Sequence, residues 1–358
     1  MPRVLHIIDG NTPADMLDQL ALLAGESDPI VSIGPGPAWE DRLTVRSLHV
    51  PLGSAGLCAL RMPNWADKVD IIHTWSDNAQ RAGEILARGR PCTLVRSLVT
   101  APPANRQRQW MRRNERSEAV WTVATEGARN RLIGVAAPAD RVHVLPPAAQ
   151  PIDRAAERRQ AFRAEIGLDP DYLVILAGGE MVRHGGHKAA CWVHAILRHV
   201  LPKIRLITSD DGPHREAILA FARGVGFVED HYGPWPPSRR ADVLAACDIA
   251  IFCHDRNCGT TALAGALAAG LPTVIFGVDD LIEWGGQAVL ASKLATPRGA
   301  AQAIFAISDD PALAQTLADA GRQRAAQCFD VAAIGETLAT IYALAESTSL
   351  EGPRSLPV

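Results

Sequence analysis

Residues 248–276 read DIAIFCHDRNCGTTALAGALAAGLPTVIF, and nothing after Arg256 in this stretch is charged. Residues 249–252 form a short continuous apolar run, the kind that is buried on both faces of a sheet. Residues 260–269 are rich in alanine and leucine and read as a helix. Gly270 stops it, Leu271-Pro272 turns the chain, and Thr273-Val274-Ile275-Phe276 resumes as a strand. The uncharged stretch 258–278 is about as long as a bilayer is thick. A buried helix, turn and strand account for its missing charges without lipid.

The same alternation runs outward in both directions. In the first half, apolar runs at 4–8, 30–33, 44–50, 70–74, 92–95, 119–123 and 141–145 are separated by helical patterns at 14–24, 78–87, 105–116 and 126–132. In the second half, strands are expected at 173–177, 204–208, 227–231, 249–252 and 272–276. Helices are expected there at 187–199, 213–223, 238–245, 260–269 and 298–307. Two more, at 311–327 and 331–345, close the pattern. Between the halves, Leu145-Pro146-Pro147-Ala148-Ala149-Gln150-Pro151 breaks it, because proline removes a backbone donor and disfavours helix in the residue before it. The fold class is therefore α/β: two Rossmann-like, doubly wound parallel-sheet domains, 1–150 and 151–345, joined by a proline-rich hinge. Residues 346–358 are expected to be a frayed tail. Such a layout places a ligand cleft between the domains, facing the carboxyl ends of the strands.

Composition narrows the function. The 358 residues carry 36 Lys+Arg against 39 Asp+Glu, a formal charge of −3. A dedicated nucleic-acid binder needs a net basic surface, so no nucleic-acid partner is expected. Apolar residues at 47% supply a core, which aromatics at 5% cannot dominate. Seven scattered cysteines fit no disulfide framework and favour a reducing compartment. The apolar run at the N-terminus breaks at Asp9-Gly10, too early for a signal peptide, and the expected location is the cytoplasm.

Certain phrases in this order resemble the family 4 glycosyltransferases of the GT-B fold over nearly the full chain. They are VLHII at 4–8, DIIHTWS at 70–76, RVHVLPPAAQP at 141–151, LAGGEMVRHGGHKAA at 176–190, ITSDDGPHREAILAFARGVGF at 207–227, ADVLAACDIAIF at 241–252 and ALAGALAAGLPTVIF at 262–276. The resemblance implies retaining transfer of a sugar from a nucleotide-sugar donor, held by the C-terminal domain. The acceptor, a glycan, lipid or small molecule, would sit mostly on the N-terminal domain. No cofactor and no metal are implied.

The chain departs from the family's pattern at several positions. The family usually carries two glutamates around the loop and helix that end in A-x-G-x-P, one meeting the transferred sugar and one holding the ribose. With Gly270 on that glycine, their places here are taken by Asn257 and Gly265. The family's phosphate clamp, an arginine and a lysine after the first strand of the domain, falls on Glu180 and Gly185 in an ungapped placement. A shifted register brings Arg183 and Lys188 into those roles instead. The first loop of the chain offers Asn11-Thr12-Pro13-Ala14 where paired glycines are usual.

A departing nucleoside diphosphate needs cations and helix N-termini. Gly259, Thr260 and Thr261 follow a strand and open a helix, with small residues that admit an anion to backbone N–H groups; Thr260 or Thr261 would cap it. The plainer reading is an ordinary strand-to-helix turn. Arg183, His184, His187 and Lys188 form the densest cationic cluster on a predicted loop, read as a phosphate site or as a solvated loop. His184 and His187 lack a third ligand nearby; Cys253, His254 and Cys258 are metal-like by type, but Cys253 ends an apolar strand and reads as a buried thiol, so no metal site is assigned. Asp211 and Gly212 shape a loop after residues 204–208, with a donor contact as a second role. Asn257 would orient the sugar by a hydrogen bond. His73, at a strand end, either faces the cleft as a catalytic residue or is a satisfied core histidine. Arg96 and Ser97 end the next strand, where the family often has a histidine near the reacting sugar. Arg106, Arg108, Arg112, Arg113 and Arg116 around Trp110 read as a peripheral membrane contact or a solvated amphipathic helix. The competing functional classes are a catalytically silent member acting as a binding or partner protein, and a nucleotide-sugar epimerase.

Overall fold

The computed structural model describes residues 2–10, 12–33, 68–88, 90–98, 119–135, 137–208, 210–225, 231–233, 235, 237–256, 258–292 and 295–350. The expected strand at 44–50 and helix at 105–116 lie outside the described residues, as does most of the expected strand at 227–231. The chain divides into two compact units, Met1–Pro146 with Ala332–Val358, and Pro147–Val331.

The first unit is built on a parallel sheet of β1 (Val4–Asp9), β2 (Ile30–Ile33), β3 (Ile71–Thr74), β4 (Thr93–Leu98), β5 (Val120–Val123) and β6 (Val142–Val144), in the order β2-β1-β3-β4-β5-β6. Five of these strands are buried along their whole length, so apolar side chains line both faces. Helices α1 (Ala14–Leu23), α2 (Asp77–Ala87) and α3 (Glu126–Ile133) cover them. The α2 start is capped by Ser76, which accepts from Ala79 N, and α3 by Thr125, which accepts from Ala128 N.

The second unit holds β7 (Leu173–Ala177), β8 (Ile204–Thr208), β9 (His231–Tyr232), β10 (Ile249–Phe252), β11 (Thr273–Ile275) and β12 (Val289–Ala291), again parallel, in the order β12-β11-β10-β7-β8-β9. Its helices are α4 (Ala156–Glu165), α5 (His187–Leu197), α6 (Arg215–Gly224), α7 (Arg240–Ala246), α8 (Thr260–Ala268), α9 (Asp279–Gly285), α10 (Pro297–Asp309) and α11 (Pro311–Cys328). From β7 the chain adds strands toward one edge and then, from β10, toward the other. The carboxyl ends of β7 and β10 therefore flank the switch point where such sheets bind ligands. Asp248 anchors the sheet from its opposite end, accepting from Val174 N, Arg159 and Arg163.

The sequence pattern missed α4, α9 and β12. The last of these is a three-residue strand at the sheet edge whose burial fades along its length. The larger correction concerns α12 (Val331–Leu350), expected to finish the second domain and to end at 345. It runs on through residues expected to be a frayed tail, and from Ala332 it belongs to the first unit. Its Tyr342 hydroxyl lies 2.8 Å from His73 Nδ1, and Ala345 O accepts from Thr93 Oγ1 at 3.4 Å. Residues 351–358 lie outside the described part. The stretch Pro311–Ser347 is long and apolar enough by composition to cross a membrane. It comprises α11 and most of α12, which are separate helices in different units.

Tyr342→Phe removes the hydroxyl and strands a ring nitrogen in a fully buried site. Urea unfolding is expected to show a loss of about 1–3 kcal/mol. No measurable loss would mean that this bond does not tie the helix to the sheet.

Candidate functional site

The site is built where the loops after β7 and β10 meet. Each loop ends in a helix, and each helix has a glycine at its N-cap in the left-handed region: Gly186 (φ 75°) before α5 and Gly259 (φ 75°) before α8. A Cβ at Gly186 would stand 2.2 Å from the carbonyl carbon and oxygen of Cys253. The two loops are therefore in backbone contact, and no larger residue fits either the dihedral angle or the space. Neither cap offers a side chain to the first N–H groups of its helix. The dipoles of both helices favour an anion at these starts. Thr260 and Thr261 are the first two helical residues of α8, both buried, and the cap expected of one of them is supplied by Gly259 instead.

Further contacts clamp the loops. The His184 Nδ1 lies 2.8 Å from a carboxylate oxygen of Asp255, and Asp255 N donates to His184 O at 3.4 Å. On the other side, Met181 N donates to Asp211 O at 3.2 Å and His214 N donates to Met181 O at 2.8 Å. Gly212 packs on the Met181 backbone, where a Cβ would be 2.7 Å from its carbonyl carbon. Asp211 accepts from Gly212 N and from Arg215, while buried Asp210 pairs with Arg240 at 3.0 Å. The loop-shaping role read for Asp211 and Gly212 matches this geometry.

Of the predicted cations, Arg183 is exposed on the loop after β7. Lys188, the second residue of α5, places its ammonium 5.6 Å from the Phe221 ring centroid on α6. Gly265 lies midway along α8, where a Cβ would meet nothing within 4 Å. Asn257 lies outside the described residues, as do Arg106, Arg108, Trp110, Arg112, Arg113 and Arg116.

Sequence reasoning weighed His254 only as a metal-like neighbour of Cys253 and Cys258, and gave it no place at the switch-point site. Its side chain is 2% exposed and fills the space beneath two glycines, with Nε2 at 2.6 Å from a Cβ built on Gly259 and 2.9 Å from one on Gly179. Burial, reinforced by neighbouring His187, lowers its pKa to about 3, so the ring is neutral at physiological pH. It stands two residues beyond the end of β10, and only the structure brings it against both glycines.

His73 sits in the first unit, fully buried. Its Nδ1 meets the Tyr342 hydroxyl and its Nε2 meets Ser97 Oγ, both at 2.8 Å, and Ser97 Oγ lies 2.7 Å from Thr122 Oγ1. The ring stacks on Trp75 at 4.2 Å, and burial, followed by His6, holds its pKa well below the usual value. This is the satisfied core histidine of the two readings given above. Arg96, expected to end its strand, lies within β4, is buried and pairs with Glu84 at 2.7 Å.

The pH sign at His254 follows from its lowered folded pKa. The neutral ring stabilises the fold above the unfolded value of 6.5, and that contribution is lost as pH falls from there toward about 3. His254→Gln is therefore expected to flatten the acid limb of a pH–stability curve, by up to about 1.4 kcal/mol per pH unit below about pH 5.5. An unchanged slope would show that His254 is not the buried neutral group described.

No family model matches the chain. A D-inositol 3-phosphate glycosyltransferase of Segniliparus rotundus is 30% identical over 191 residues, which cover 45% of this chain and 41% of that protein, so the match spans under half the relative's length. Among solved structures, Anabaena Alr3699/HepE in complex with UDP and glucose superposes with a TM-score of 0.80 at 15% identity, covering 96% of this chain and 100% of that one. Sucrose-phosphate synthase from Thermosynechococcus elongatus gives 0.74 at 16% identity, covering 96% and 98%. With two parallel-sheet Rossmann-like units and these likenesses, the chain has the GT-B fold and is similar to the family 4 glycosyltransferases.

Proposed function

We infer that the protein is a glycosyltransferase that takes a sugar from a nucleotide-sugar donor and passes it to an acceptor hydroxyl with retention of configuration. The carrying observation is the pair of helix starts at the switch point, α5 and α8, held in backbone contact at Gly186 and Cys253. Two adjoining helix N-termini, with both dipoles favouring negative charge, suit the two phosphates of a nucleoside diphosphate better than they suit a single small anion. The complex of HepE with UDP-glucose makes uracil the first base to test.

In this reading the bond between the anomeric carbon and the leaving phosphate oxygen breaks as the acceptor oxygen attacks from the same face. The acceptor proton passes to the departing diphosphate, and its developing charge is taken up by the α5 and α8 termini. Arg183 supplies the mobile cation. Lys188 is engaged by Phe221 and contributes less. Asn257 orients the sugar, and no divalent metal is needed for charge neutralisation.

A second reading, a silent member that binds without transferring, is favoured by Gly265 and by Glu180, which stand where the family usually has a ribose-holding glutamate and a clamp arginine. A Cβ at Gly265 meets nothing within 4 Å, so the position admits a side chain at its first carbon.

Calorimetric titration tests both. UDP and UDP-glucose are expected to bind, Arg183→Ala to weaken UDP about tenfold, and Lys188→Ala to change it less. Absence of binding by UDP, GDP and their sugars at millimolar concentration would overturn the donor site itself. Binding with neither transfer nor hydrolysis of the donor would establish the silent member. In that event Gly265→Glu is expected to tighten UDP, by supplying the missing ribose contact.

A further inference from the structure

The outer face of α5 carries an apolar stripe that stands exposed among the described residues. Trp192 is 48% exposed, Ile196 38% and Val200 60%, at successive intervals of four, the last in the turn that follows the helix. They account for half of the large hydrophobic side chains found exposed among the described residues. Trp192 also meets the Phe221 ring edge-on at 5.9 Å, and Phe221 in turn lies beneath the Lys188 ammonium. The aromatic pair extends the stripe onto α6.

The charge around this stripe has one sign along the chain. From Met181 to Ser209 the sequence contains no Asp or Glu and carries Arg183, Lys188, Arg198, Lys203 and Arg205. Lys203 pairs with Asp171, and Arg205 donates to the Tyr172 hydroxyl. Arg183, Lys188, Arg198 and His199 are exposed, and α6 adds exposed Arg223 and the carboxylate Glu216, while its Arg215 is paired with Asp211. A second copy of this chain seated on the same face through a two-fold axis would bring cations against cations. An apolar stripe with an exposed tryptophan, rimmed by Lys and Arg whose aliphatic stems can lie along it, matches instead a surface that is apolar below and anionic above.

We propose that the α5 face, Trp192, Ile196 and Val200 with Lys188 and Arg198, docks the protein on the surface of a membrane containing anionic lipid. The surface is distinct from the arginine-rich stretch around Trp110 and lies in the other unit. It shares Lys188 with the switch-point site, whereas Trp192, Ile196 and Val200 take no part in that site.

Flotation of the full chain tests the proposal, with vesicles of phosphatidylcholine alone and of phosphatidylcholine with about 30 mol% phosphatidylglycerol. The protein is expected to float with the anionic vesicles and not with the neutral ones, and to be released in about 0.5 M NaCl. Trp192→Ser together with Ile196→Ser is expected to lower partitioning about tenfold or more, while circular dichroism and UDP binding stay unchanged. These side chains are already exposed, so their loss leaves the core intact. Brominated lipid should quench wild-type fluorescence, and Trp192→Phe should remove that quenching. Absence of binding to anionic vesicles, or binding that the double variant leaves intact, would overturn the proposal. So would sedimentation showing a dimer that the double variant dissolves, since that assigns the face to a second copy.

Discussion

The organisation of the second unit depends on one backbone approach. Gly186 lies so close to the Cys253 carbonyl that a single extra carbon has no room. Both N-caps are left-handed glycines that make no side-chain cap hydrogen bond, and the two helices start side by side. The surrounding bonds, His184 to Asp255 and Met181 to the Asp211–His214 turn, hold three loops in register around that contact. A ligand at this point meets a preorganised set of dipoles, whose cost was met when the loops packed.

The two units use buried histidines differently. His73 is fixed by two hydrogen bonds and a stacked tryptophan, so its role is to connect strands β3 and β4 to helix α12. His254 fills volume beneath two glycines and is kept neutral by its surroundings. Strand-end histidines look alike in a one-dimensional reading, and only their partners separate them.

Much of the architecture was legible because parallel strands announce themselves as continuous apolar runs. β7, β8 and β10 begin and end where residues 173–177, 204–208 and 249–252 read as strands. Glycine and proline marked the turns at Gly270-Leu271-Pro272. Short edge elements such as β12 escaped because three residues carry too little pattern. The assignment of α12 escaped for a different reason: its amphipathic face shows that it packs, but not on which sheet. At the site, the helix start at Gly259 was legible as small residues after a strand. The position of Lys188 over Phe221 depends on a contact between residues far apart in the chain, which no local spacing reveals.

The return of α12 to the first unit makes the second unit an insertion within the first. During synthesis, Pro147–Val331 has all its strands and helices before Tyr342 has been polymerised. His73 must wait, buried surface unmade, until the last helix leaves the ribosome. The N-terminal strands are therefore made first and completed last, and a chaperone that shields apolar sheet would find its longest-lived client in the half of the molecule translated earliest.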